Sequence, residues 1–294
     1  MTAAVRLLAA RQRARVVRAG PAGESSGIFT RYPFLIAVLL LSAFPVYWTF
    51  TIASQTNEAI GEVPPPFLPG GNFFANASRV FDTVDFAKAL LHSFVVAGAI
   101  TTSTLVFCSM AGFAFAKLPF RGKNALLLVV LATMMWPVQL GVIPLYIEMQ
   151  ALGWAQHLIA VIAPTAVTGF GVILMRQYTI QAVPDELLEA ARMDGCTSFG
   201  LYRHVVLPAL RPAMAVLGLL TFMQAWNDFM WPLIVLSPDS ATVQVALSTL
   251  AAGHYMDYTL VLAGTAMATL PVLVVFAVFG RRIIGGIMEG AIKG

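Results

Sequence analysis

Long apolar runs separated by short polar stretches dominate the chain. Six of them approach or exceed the roughly 20 residues that a helix needs to cross the hydrocarbon of a bilayer. They cover residues 33–53, 91–116, 124–147, 157–175, 212–236 and 258–280, the fourth being the shortest. None shows the period-two alternation of a barrel strand, and backbone groups in hydrocarbon must be bonded within their own segment, so each run predicts a helix. The expected fold is an all-α integral membrane protein of six transmembrane helices.

Composition supports the pattern. Of 294 residues 59% are hydrophobic and only 11% charged, against about a quarter charged in a soluble domain. So few charges cannot clothe a water-facing surface. The net charge of +4 does not indicate a nucleic-acid partner, because the basic residues sit in connections between apolar runs rather than on one patch. Sixteen of the eighteen Lys and Arg residues fall before the first run, between the second and third, between the fourth and fifth, or after the sixth. Only Arg79 and Lys88 lie on the other side. The positive-inside rule then places both termini in the cytoplasm. Residues 1–31 read as a basic, mobile arm, 32–282 as the membrane domain and 283–294 as a cytoplasmic tail. The first apolar run has no small-residue cleavage site after it and is expected to remain as a helix.

Residues 176–211 exceed a simple connection. Pro184 suits a first helical turn, and Asp185 and Glu186 put negative charge at its amino end. Gly195 stands where a left-handed cap would end the helix. Thr197 or Ser198 can cap a second helix carrying Phe199, Tyr202 and Val206 and stopping near Pro208. Physics alone leaves two readings, an interfacial amphipathic element or a docking element for a cytoplasmic partner.

The spelling favours docking. Glu189-Ala190-Ala191, then Gly195 after three residues, then Val205-x-Leu207-Pro208 after nine more, resembles the EAA signature of ABC importer permeases. Trp226-Asn227-Asp228-Phe229 with Trp231-Pro232-Leu233 looks like the fifth span of carbohydrate-importer permeases. The ending Gly290-Ala291-Ile292-Lys293-Gly294 is similar to the MalG-like tail. The likeness covers the chain from about residue 33 onward; the Arg-rich start matches nothing in the family.

That resemblance implies a type I importer permease fold whose loop 176–211 docks on an ATP-binding subunit. Glu189 would make polar contacts there, Ala190 and Ala191 would permit close approach, Gly195 would make the turn, and Leu207 and Pro208 would anchor the exit. Gly290, Lys293 and Gly294 would belong to a flexible tail meeting the ATPases. The loop 237–257 would meet an extracytoplasmic solute-binding protein, and a second, MalF-like permease would complete the channel. The chain itself reads as non-catalytic and free of cofactors. Its only Gly-Lys pair, Gly122-Lys123, lacks the rest of a phosphate-binding loop, so ATP and Mg belong to the partner ATPase.

Inside the expected spans, Gln224, Asn227 and Asp228 form a polar group that either lines the translocation path or serves inter-helix bonding. Gln139 has the same two readings. Trp226 and Trp231 read as packing or interface residues. His92, His157, His204 and His254 show no metal-ligand spacing, and Cys108 and Cys196 read as free thiols. The expected cargo is an oligosaccharide or disaccharide, with glycerol phosphate or a polyol as alternatives in the same family. An ion-coupled secondary transporter working through Asp228 is the alternative of another class; it calls for an internal repeat, and none is visible.

Overall fold

A computed structural model of the chain describes residues 25–252 and 256–291. Every element among them is helical. His254, Lys293, Gly294 and most of the basic arm lie outside the described residues.

Three helices are long and apolar enough to cross a membrane unbroken. They belong to α1 (Ser25–Ala53), α3 (Phe86–Lys117) and the final helix, Tyr258–Ala291. Between α1 and α3 lies α2 (Phe73–Thr83). Three further crossings pass the same test only as bent pairs, which is consistent with six spans.

The continuous helices expected over 124–147, 157–175 and 212–236 are interrupted. In the first, α4 (Lys123–Met135) gives way to a 3₁₀ turn at Val138–Gly141 and then α5 (Val142–Ala151), with a bend of 93° between the halves. Pro137 is the cause: it has no N–H for the Thr133 carbonyl and pushes Trp136 into extended backbone (φ −81°, ψ 123°). Gln139 sits on this exposed turn. In the second, α6 (Ile159–Thr165) and α7 (Gly169–Ala182) are bent by 43°. Thr168 restarts the helix by accepting the Gly171 amide at 3.1 Å.

In the third, α10 (Arg211–Trp226) ends at Asn227, and α11 (Met230–Val235) begins after Phe229. The Asn227 side chain donates to the Met223 carbonyl at 2.8 Å, and Pro232 cannot bond the Asp228 carbonyl one turn back. Periodicity does not report such local competition.

Helix α3 is the axis of the fold, packing on α7 and α10. Lipid is as apolar as Leu, so helices in it associate through close packing rather than hydrophobic burial. Gly112 shows how close: a Cβ there would stand 2.6 Å from the Met175 Cβ. Gly171 answers from α7, where a Cβ would meet Cys108 Sγ at 2.8 Å. The two small residues, each one turn from the other's neighbour, let the backbones touch.

Among the described residues, the expected outer loop 237–257 has helical structure of its own. Val243–Leu250 form α12, whose Val243, Val245, Ala246 and Leu250 are buried. Packed around Val243 and Leu250 are Phe86, Ala97, Trp226 and Ala263. The last helix, α13 (Tyr258–Ala291), runs through Gly290, so helix continues over residues 283–291 where a flexible tail was expected.

Candidate functional site

The loop 176–211 folds as its spelling requires. Its first helix, α8 (Asp185–Met193), is followed by Gly195 at φ +84°. The Cys196 amide bonds the Ala191 carbonyl and the Gly195 amide bonds the Arg192 carbonyl, each at 3.0 Å. This is the paired closure of a Schellman turn, and its left-handed residue is the reason for glycine. Thr197 then accepts the Gly200 amide at 3.2 Å, settling which of the two candidates caps the next helix.

That helix, α9 (Ser198–Ala209), widens to π geometry over Tyr202–Val206 and meets α10 at a bend of 78°. It continues past Pro208 as far as Ala209. Leu201, Tyr202, Val206 and Leu210 are buried, sharing a cluster with Cys108, Phe113, Met175, Val183 and Leu188. The loop is therefore seated on α3 and α7 rather than hanging from its ends.

Two polar contacts strengthen the seat. Tyr202 Oη and Ser109 Oγ lie 2.8 Å apart in a buried hydrogen bond. Lys117 Nζ meets Asp185 Oδ1 at 2.8 Å, joining the end of α3 to the start of α8. Neither partner on α3 was signalled by the sequence. A hydroxyl in a span ordinarily bonds its own preceding turn, as Ser109 also does, and nothing local marks it as reaching elsewhere.

The opposite side of α8 faces away from the chain. Leu188 is its one buried residue, while Glu189 and Ala190 are exposed and Ala191 is half-buried. Around them stand Leu187, Met193 and Phe199, exposed to 55%, 88% and 61%. A nearly free methionine between Arg192 and Asp194 is an uncovered apolar surface in a polar setting. Its position in a charged stretch was the signal that could have singled it out. Leu207 is half-buried and Pro208 exposed at the turn into α10.

The second group, Gln224, Asn227 and Asp228, comes together at the α10–α11 break. Gln224, on α10, and Asn227, at its C-cap, are exposed, and Asp228 is half-buried. The Asp228 carboxyl lies near the backbone amides of Trp231 and Phe229, at the break that precedes α11. Gln244, on α12, reaches Asn227 Oδ1 at 3.5 Å. It was hidden from sequence reasoning because it lies 17 residues away in an apolar run. Trp226 is fully buried between Phe222 and Phe94, and Trp231 donates to the Ala160 carbonyl at 3.0 Å. Both are packing residues. No group of three potential metal ligands occurs among the described residues. Gly290 lies in the backbone of α13, and the other two tail residues lie outside the described chain.

Helices long and apolar enough to cross a membrane, with a projecting helix–turn–helix, are the architecture of a multi-pass membrane protein. Residues 105–282 match the family of binding-protein-dependent transport system inner membrane components, and the chain belongs to that family. The arabinooligosaccharide transport system permease protein AraQ of Bacillus subtilis (strain 168) is 35% identical over 270 residues, covering 89% of this chain and 94% of that protein. The lactose transport system permease protein LacG of Rhizobium radiobacter is 32% identical over 264 residues, covering 90% and 95%. Among solved structures, a chain of a bacterial ABC transporter involved in import of the acidic polysaccharide alginate superposes with a TM-score of 0.75. It is 24% identical, covers 88% of this chain and 98% of its own, and shares the fold.

Proposed function

We propose that this chain is the permease subunit of an ATP-binding-cassette importer for an oligosaccharide or disaccharide, forming half of the translocation pathway. The observation that carries the coupling role is the loop 176–211, which presents Leu187, Glu189, Ala190, Met193 and Phe199 outward while its inner side is locked to α3 and α7. The carbohydrate cargo is supported by the names of AraQ and LacG.

In this reading α8 enters a cleft on a cytoplasmic ATP-binding subunit. Ala190 lets the surfaces approach, Glu189 hydrogen-bonds across them, and Met193 fills an apolar hollow. A push on α8 then passes through Lys117–Asp185 and Tyr202–Ser109 to α3, and through the 78° elbow to α10. Helices transmit such displacement because their packed contacts resist compression. ATP and Mg are held by the partner and this chain catalyses nothing. The basic face is cytoplasmic, with both termini on it, as the charge asymmetry supports. A second permease completes the path, and an extracytoplasmic solute-binding protein delivers the sugar on the opposite face. The tail, with Gly290, Lys293 and Gly294, approaches the ATPases.

The test is reconstitution of the complex with its ATPase in liposomes. Sugar uptake should require ATP and the binding protein, and Glu189→Ala should lower uptake at least tenfold. Uptake that persists without the ATPase, driven by an ion gradient, would sink the proposal.

A further inference from the structure

The α10–α11 break carries several polar side chains close together. Gln224, on α10, and Asn227, which caps its end, are three residues apart and both exposed, and Gln244 joins Asn227 from α12. Phe229, two residues beyond Asn227 in the chain, is 40% exposed. Helix α10 has 16 residues, which at 1.5 Å each carries Asn227 about 24 Å from Arg211. Under the orientation proposed above, that depth is still within the hydrocarbon thickness of about 30 Å. Unbonded amides and non-helical backbone do not face lipid; at membrane depth they are covered by protein or line a watered cavity.

The chemistry of the face is specific. A carboxamide offers two N–H donors and two acceptor lone pairs. Asn227 uses one donor on Met223 and accepts from Gln244, so further donors and acceptors remain on all three side chains. Adjacent hydroxyls of a sugar need that mixture, and an exposed aromatic ring suits the apolar face of a pyranose or furanose. A phosphate ester needs a cation or several charge-assisted donors when taken out of water. Residues 212–280 contain no Lys or Arg. Asp228, the ionisable residue adjoining Asn227 in the chain, supplies no positive charge for such an ester.

We propose that Gln224, Asn227 and Gln244, with the Phe229 ring, form a subsite on this chain for the hydroxyl groups of a neutral carbohydrate and that it discriminates against phosphate esters. The proposal rests on the importer reading and adds to it where the cargo touches this subunit, with Gln244 as a residue of the path and Asp228 as its structural support.

The experiment uses the whole complex in proteoliposomes with radiolabelled lactose, arabinotriose and sn-glycerol 3-phosphate as probes. The native complex should accumulate at least one sugar and exclude the phosphate ester. Asn227→Ala and Gln244→Ala should each lower uptake of that sugar tenfold or more, while ATP hydrolysis stimulated by the loaded binding protein stays within twofold. Asn227→Ser, which keeps a donor and an acceptor, should restore part of the uptake. Three results overturn the subsite: unchanged uptake in both alanine variants, preferential uptake of sn-glycerol 3-phosphate, or loss of the second permease from the purified variant complexes, which would make the amides a subunit contact. Failure of the importer reading shows differently, as a native complex with no ATP-dependent uptake of any probe, and overturns both.

Discussion

The hydroxyl of Tyr202 lies 2.8 Å from that of Ser109, buried between the widened turn of α9 and the middle of α3. It joins residues 93 positions apart and makes the projecting loop and the central helix one mechanical body. A π turn inside a helix commonly marks a functional site, and here it places the Tyr202 ring against Phe113 at 6.2 Å. Replacing Tyr202 by Phe keeps the ring and removes the bond. Ser109 still donates to Leu105, so the stability loss should be modest, about 0.5–1.5 kcal/mol. Coupling should suffer more: sugar carried per ATP hydrolysed should fall severalfold in Tyr202→Phe, with assembly intact. An unchanged transport-to-hydrolysis ratio would relegate the bond to packing.

Gly195 holds φ +84°, where a side chain costs roughly 1–2 kcal/mol. Gly195→Ala should loosen the turn between α8 and α9 and reduce the amount of ATPase that copurifies with the permease. Gly195→Asn should be milder, since Asn tolerates the left-handed region. Equal retention of the ATPase by native protein and Gly195→Ala would contradict this.

Gly112 is a steric limit rather than a conformational one. Its added Cβ would meet the Met175 Cβ at 2.6 Å and the Arg176 amide at 2.7 Å, and neither can swing aside as a side-chain tip would. Gly112→Ala should force α3 and α7 apart and cost about 1–3 kcal/mol. A lowered thermal midpoint in detergent, with Gly98→Ala as a control that has open space, is the measurement.

On the face opposite the projecting loop, Arg79 pairs with Asp257, which precedes α13. Burial works against the carboxylate, but bonds from Thr259, the Leu260 amide, Arg79 and Asn57 outweigh it and bring its pKa from 3.8 to about 2. A depressed carboxyl adds stability that is fully present above its unfolded value and is lost as pH falls through the folded one. Unfolding midpoints should therefore drop between about pH 4 and pH 2 in the native protein. Asp257→Asn should be less stable at pH 7 and lose that part of the slope; parallel pH curves for the two proteins would count against the assignment.

How much of this was legible in the chain differs by element. The apolar runs at 33–53, 91–116 and 258–280 announced their helices, because a segment that must satisfy its own backbone in hydrocarbon has only one regular form available. Gly195 announced the turn of the loop, and the Thr197-Ser198 pair announced a cap there, because those conformations depend on the residue itself and its nearest neighbours. The same locality puts Glu189, Ala190 and Ala191 on one short helix, between the acidic first turn at Asp185 and the glycine that ends it.

The breaks after Met135 and Trp226 are also local, made by Pro137 and by the Asn227 side chain, but a reading by hydrophobicity passes over them. Tertiary structure decided what local rules cannot address. The Asn227–Gln244 pairing and the Tyr202–Ser109 bond join residues 17 and 93 positions apart, and Val243–Leu250 descend into the bundle to meet distant helices. Such contacts are set by which helices pack together, and packing in the bilayer turns on the fit of small surfaces such as Gly112 against Met175 rather than on the hydrophobicity shared by every span.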